Sequence, residues 1–161
     1  MAVQMKLTIV AVLLIVAQSS TSEPPRDFAL QIVFGQCWNE AIDTTQATFT
    51  RTLIPGESRT AKVPLTADHR RRLYALVVDA DVFDYPRSFE PEGASMVEEL
   101  PPSDFRIEVR SGGRHHIVEW LDRGSMHPEA VRLRAMLRAV RELFAERPEV
   151  QRLPASRMIC L

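Results

Sequence analysis

Residues 105–120, FRIEVRSGGRHHIVEW, decide the fold. Phe105, Ile107 and Val109 alternate with charged residues up to Ser111-Gly112-Gly113-Arg114, and His116, Val118 and Trp120 alternate on the return. A period of two marks half-buried strands, and a glycine pair between them marks a tight hairpin turn. The turn is no phosphate loop, because GxxxxGK[ST] is absent and a strand, rather than a helix, follows the glycines.

Upstream, Phe28, Leu30, Ile32 and Phe34 alternate and stop at Gly35, which predicts another half-buried strand. The threonine-rich stretch Thr44 to Ile54 predicts a second strand, Pro55-Gly56 a turn, and Ser58 to Val63 a third strand folded back on it. Thr66 stands as an N-cap, and Leu73, Leu76, Val77 and Ala80 recur at helical spacing over Ala67 to Ala80. Phe83 is expected to fold back onto the sheet. Arg87 to Ser103 reads as a long loop, holding Pro91, Gly93, Pro101 and Pro102.

Downstream of the hairpin, His127-Pro128-Glu129 opens a helix whose stripe is Ala130, Leu133, Leu137, Val140 and Phe144. Arg134, Arg138 and Arg141 fall on its solvent side, Pro148 ends it, and Val150, Leu153, Met158 and Ile159 let the tail dock. The expected fold is α+β in the order βββαββα. It is an antiparallel sheet of about five strands with two helices packed on one face.

At the N-terminus, Lys6 precedes the apolar run Leu7–Ala17, and the small polar stretch Gln18 to Ser22 follows. That is the pattern of a secretory signal. Residues 1–22 are read as the signal and 23–161 as a single domain, with Ser20 and Ser22 flanking a cut before Glu23; the alternative flank is Ala17 and Ser19. The run spans about 16 Å as a helix, against about 30 Å of hydrocarbon, so it is too short to stay as a membrane span. An uncleaved amphiphilic anchor is the competing reading. No cysteine follows the run closely enough for a lipid anchor. The destination is periplasmic or extracellular.

The formal net charge is −1, and the signal carries only Lys6, so the mature domain sits at about −2. Nucleic-acid partners are not implied, since such proteins carry a basic excess. Lys62 is the only lysine outside the signal, the remaining basic residues being arginines. Cys37 and Cys160 enter an oxidising compartment, and two readings stay open: one disulfide between them, or one buried thiol and one free terminal thiol.

The sequence offers little catalytic chemistry. His115 and Glu119 share a strand face and offer a nitrogen and an oxygen to a metal, yet further ligands are not visible, and the same pair reads as the solvent side of the hairpin. GxSxG and HExxH are absent. Arg70-Arg71-Arg72 and the arginines at 132, 134, 138 and 141 read either as an anion-binding surface or as solvated helix faces interleaved with Asp68, Glu129 and Glu142. No catalytic, cofactor-binding or metal residue is assigned, and no cofactor is expected.

From Leu73 onward the chain resembles the emfourin family, small bacterial inhibitors of thermolysin-like metallopeptidases. The residues that carry the likeness are Leu73 to Val77, Ala80 to Pro86, Asp104 to Val109 and Gly113 to Val118, followed by the helix with Leu133 and Leu137. They are mostly core positions, so the resemblance implies an architecture more than an activity. Emfourins are shorter, lack an export signal and begin with a glycine-rich segment implicated in inhibition. Here Gly35-Gln36-Cys37-Trp38-Asn39-Glu40 follows the first strand, and no inhibitory residue is carried over.

The expected function is that of an exported, non-enzymatic domain that binds an unidentified protein, with peptidase inhibition as one member of that class. Arg87–Ser103 and the Cys37–Thr44 connection are the expected contact segments, since loops on a rigid scaffold carry recognition. The alternative is a small envelope hydrolase or ligand-binding protein whose site joins distant residues, with His69 or His116 beside a carboxylate. A purely structural envelope component is a third reading.

Overall fold

The alternating segments form the middle of a mixed sheet. The computed structural model describes residues 23–35, 39–91 and 103–158. Its strands are β1 (Ala29–Phe34), β2 (Glu40–Asp43), β3 (Thr48–Ile54), β4 (Glu57–Lys62), β5 (Ser88–Phe89), β6 (Ser103–Ser111) and β7 (Arg114–Asp122). They lie in the order β4-β3-β2-β1-β6-β7-β5. Every pairing is antiparallel except that of β5 with β7. The helices are α1 (Ala67–Asp79), α2 (Pro128–Ala145) and the single turn α3 (Pro148–Gln151), with a 3-10 turn at Val82–Asp84.

The α+β class stands, but its count does not: the described residues hold seven strands and three helices against about five and two expected. β2 escapes the alternation rule because one of its two buried positions is Glu40. The stretch expected as one strand from Thr44 begins only at Thr48. Asp43 Oδ1 accepts from the N–H groups of Thr45 and Gln46, and Ala47 has φ 49, so the chain turns before β3 starts. β5 lies inside the stretch expected as a loop; two residues are too few for a period to show. The sheet is mixed because β5 pairs in parallel with β7, with β6 lying between the two in the chain. α3 arises where Pro148 was expected only to stop a helix. Proline is as well suited to a first helical turn as to an end.

The core explains why both long helices lie on the same sheet face. Leu30, Ile32, Phe34, Ile42, Phe49, Ile107, Val109, Val118 and Trp120 form one buried cluster with Leu73 and Val77 of α1 and with Leu133, Leu137, Val140 and Phe144 of α2. Burying one such side chain is worth about 1.5–3 kcal/mol. Thr66 caps α1: its hydroxyl accepts the His69 N–H at 3.2 Å, and the His69 ring accepts the Thr66 N–H. Phe83 packs against the core beside the His116 ring, 5.9 Å between centroids. Val150 is buried, and the Arg157 N–H donates to the Leu53 carbonyl, which docks the tail.

Arg134 and Arg141 leave the solvent side expected of them. Arg134 makes two hydrogen bonds to Asp122, and Arg141 reaches buried Glu40 at 2.8 Å. No described helix is long and apolar enough to cross a membrane. The signal, the Cys37–Cys160 pair and positions 92–102 of the expected loop lie outside the described residues.

Candidate binding groove on the open sheet face

The odd-numbered residues of β1 face away from the helices, and strand register carries that face across the sheet. Val33 stands opposite Arg106, Arg106 opposite Glu119, and Glu119 beside Ser88. One step along, the Gly35 N–H donates to the Asp104 carbonyl at 2.7 Å, and Asp104 stands opposite Leu121. These two rows enclose a groove of about 370 Å³, completed by Phe89, Glu90, Phe105 and Trp120.

Two features distinguish the groove from an ordinary solvated sheet. Val33 and Leu121 are 48% and 41% exposed, on a face otherwise covered mainly by polar side chains. The rim is also charged unevenly. Glu119 Oε1 takes Arg106 at 2.7 Å and lies 3.7 Å from Arg87, so both cations near it are engaged. Among the described residues Asp104 and Glu90 have no ion pair, which leaves two carboxylates beside exposed Leu121.

Gly35 makes this geometry possible. A Cβ built there would stand 1.9 Å from Asp104 Oδ1, so only glycine lets the carboxylate lean over β1. Sequence reading treated Gly35 as a strand breaker and missed that role. The close approach depends on the β1–β6 pairing, and nothing local to residue 35 announces it.

The residues weighed for chemistry disperse. His115 and Glu119 do share the open face, but His115 Nε2 meets Glu108 Oε1 at 2.9 Å while Glu119 binds Arg106. His115, with Arg106 beside it, holds the Glu108 carboxyl below its usual range. Among the described residues no three His, Cys, Asp or Glu side chains gather as a metal site. His116 Nε2 donates to the Tyr85 carbonyl at 2.9 Å, and His69 is engaged by the α1 cap and by Arg147.

The arginine clusters separate as well. Arg70 donates to the Phe28 carbonyl, Arg71 pairs with Asp68, and Arg132 pairs with Asp81. Arg51 and Arg141 both bind Glu40, whose side chain is 4% exposed, joining β2, β3 and α2. These are structural ion pairs within the fold, and they do not converge on one anion-binding surface. Of the expected contact segments, Arg87–Ser103 lines the groove through Ser88, Phe89 and Glu90, whereas no described residue of Cys37–Thr44 lines it. In comparisons with known proteins, no family model matches the chain and no curated protein matches it.

Proposed function

We propose that this is an exported, non-enzymatic protein-binding domain that docks its partner in the groove at the Gly35–Asp104 end of the open sheet face. The observation that carries the reading is the exposure of Val33 and Leu121 together inside a charged rim. Apolar side chains held in water by rigid strands favour a partner surface that covers them. A peptidase belongs to the partner classes this reading includes, on the strength of the resemblance described above.

The test compares the mature chain with Leu121→Arg and Val33→Arg variants as bait in an envelope fraction, alongside activity assays of thermolysin-like peptidases. Recovery of one partner by the parent protein and its loss with either variant supports the reading. Equal recovery by all three, or no partner and unaltered peptidases, sinks it. Edman sequencing of the exported protein starting at Glu23 supports the signal assignment, and a retained Met1 overturns it.

We also propose that Cys37 and Cys160 form the single disulfide. Support comes from their neighbours: the Asn39 carbonyl accepts from the Thr52 N–H at 2.8 Å, and the Arg157 N–H donates to the Leu53 carbonyl at 2.8 Å. Consecutive residues of β3 thus anchor the chain two positions from one cysteine and three from the other. At about 3.3–3.6 Å per residue, the intervening chain is long enough to bring the thiols together. The two thiols lose two electrons and two protons to a disulfide donor by exchange. In the chain-entropy picture so long a loop contributes about 4–5 kcal/mol. Thiol titration of exported protein is expected to find no free thiol, and reduction to lower the melting temperature by about 10 °C. Two free thiols, or a disulfide-linked dimer, refute it.

A further inference from the structure

We infer that the groove selects a basic residue of its partner, a lysine or arginine whose aliphatic stem lies on Leu121 and whose cation sits between Asp104 and Glu90. The inference rests on the protein-binding reading and adds the chemistry of the occupant. Charge and apolarity alternate at the groove end: Asp104 stands opposite Leu121, and Glu90 completes the rim beyond it. Arg106, which lines the groove, pairs with Glu119 and Glu108, and Arg87 pairs with Glu119, so neither forms an ion pair with those two carboxylates. A long side chain with an apolar stem and a charged head fits that arrangement, because it covers Leu121 and brings the missing positive charge in one group.

The apolar surface beside the carboxylates points to a peptide side chain rather than a free cation. Val33 and Leu121 are 48% and 41% exposed in the groove, so an occupant that only neutralised the carboxylates would leave apolar surface in water. A peptide's lysine or arginine covers that surface with its stem and carries the charge at its tip, so one occupant answers both. An acidic or wholly apolar segment would leave Asp104 and Glu90 facing like charge or low dielectric, which costs free energy.

The probes are three short blocked peptides, Ala-Leu-Arg-Leu-Ala and its Glu and Gln counterparts at the central position, titrated into the ¹⁵N-labelled mature chain. The arginine peptide is expected to shift the amide signals of Val33, Asp104 and Leu121. The glutamate peptide should leave them in place. Asp104→Asn and Glu90→Gln should each weaken arginine-peptide binding by about threefold to tenfold, and added salt should weaken it further. Both variants replace exposed carboxylates with neutral isosteres, and an unchanged amide spectrum elsewhere reports that the fold is kept. Equal binding of the Glu and Arg peptides, or no loss in either variant, overturns the inference. If no peptide touches the groove while Leu121→Arg still abolishes partner capture, the basic-residue inference fails and the protein-binding reading stands. If neither occurs, both fall.

Discussion

Glu40 shows how one residue can join distant parts of this chain. Its carboxylate, almost fully buried, receives Arg51 at 2.9 Å and Arg141 at 2.8 Å, and Arg51 also reaches the Leu153 carbonyl in the tail. Glu40→Gln leaves two guanidinium groups facing an uncharged amide, and breaking a buried pair of this kind costs about 3–5 kcal/mol. Urea unfolding of the variant should show an unfolding free energy lowered by that amount, read as a lower midpoint at an unchanged slope. Gly35 is the opposite case, a position defined by what is missing. Gly35→Ala places a methyl on the Asp104 carboxylate and must displace it. Its expected effect is a local shift of the Asp104 and Leu121 amide signals and weaker partner binding, with the melting temperature moved by only a few degrees, about 1 kcal/mol.

At the scale of elements, the hairpin and the two long helices were legible because each repeats a period long enough to count. α1 illustrates a start signal as well. Thr66 was recognised as its cap, whereas the reciprocal bond from His69 was not, since the usual partner at that position is Glu or Gln. Thr66→Ala should lower stability by about 1 kcal/mol in thermal unfolding, and a change below a few tenths would show that the cap contributes little. β2 and β5 were not legible. β2 puts a carboxylate where the alternation rule looks for an apolar side chain, and β5 is too short to have a pattern. The groove was equally hidden. Val33 and Leu121 read as ordinary members of amphipathic strands until register sets them on one face, on either side of Asp104.

For the molecule as a whole, the termini of the sheet are tied by charge. Asp27 accepts the N–H groups of Gly112 and Gly113 at 2.9 and 2.7 Å, joining the start of the domain to the β6–β7 turn. The Gly113 N–H, then that of Gly112, lowers its carboxyl pKa from the ordinary 3.8. A carboxylate whose folded pKa is depressed contributes stability that is complete above the unfolded pKa and is lost as pH falls through the folded one. Unfolding midpoints should therefore hold above about pH 4 and decline below it, and Asp27→Asn should flatten part of that decline. An identical acid profile in the variant would remove Asp27 from the account. At the β4 edge, the Arg59 guanidinium donates to the Ser58 carbonyl at 3.2 Å, and a charged side chain over an edge carbonyl discourages a further strand from pairing there.

The amino-acid order alone determined the α+β class, the central hairpin, the two long helices and their apolar stripes, because periodicity and caps are local properties of the chain. It also carried the export expectation, which the apolar run after Lys6 motivates. Tertiary structure decided the seven-strand order, the burial of Glu40 between two arginines, the dispersal of the histidines, and the groove between Val33 and Leu121. Each of these depends on which strand pairs with which and in what register. A one-residue slip would turn every such side chain to the other face, and no local pattern in this chain sets those pairings by itself.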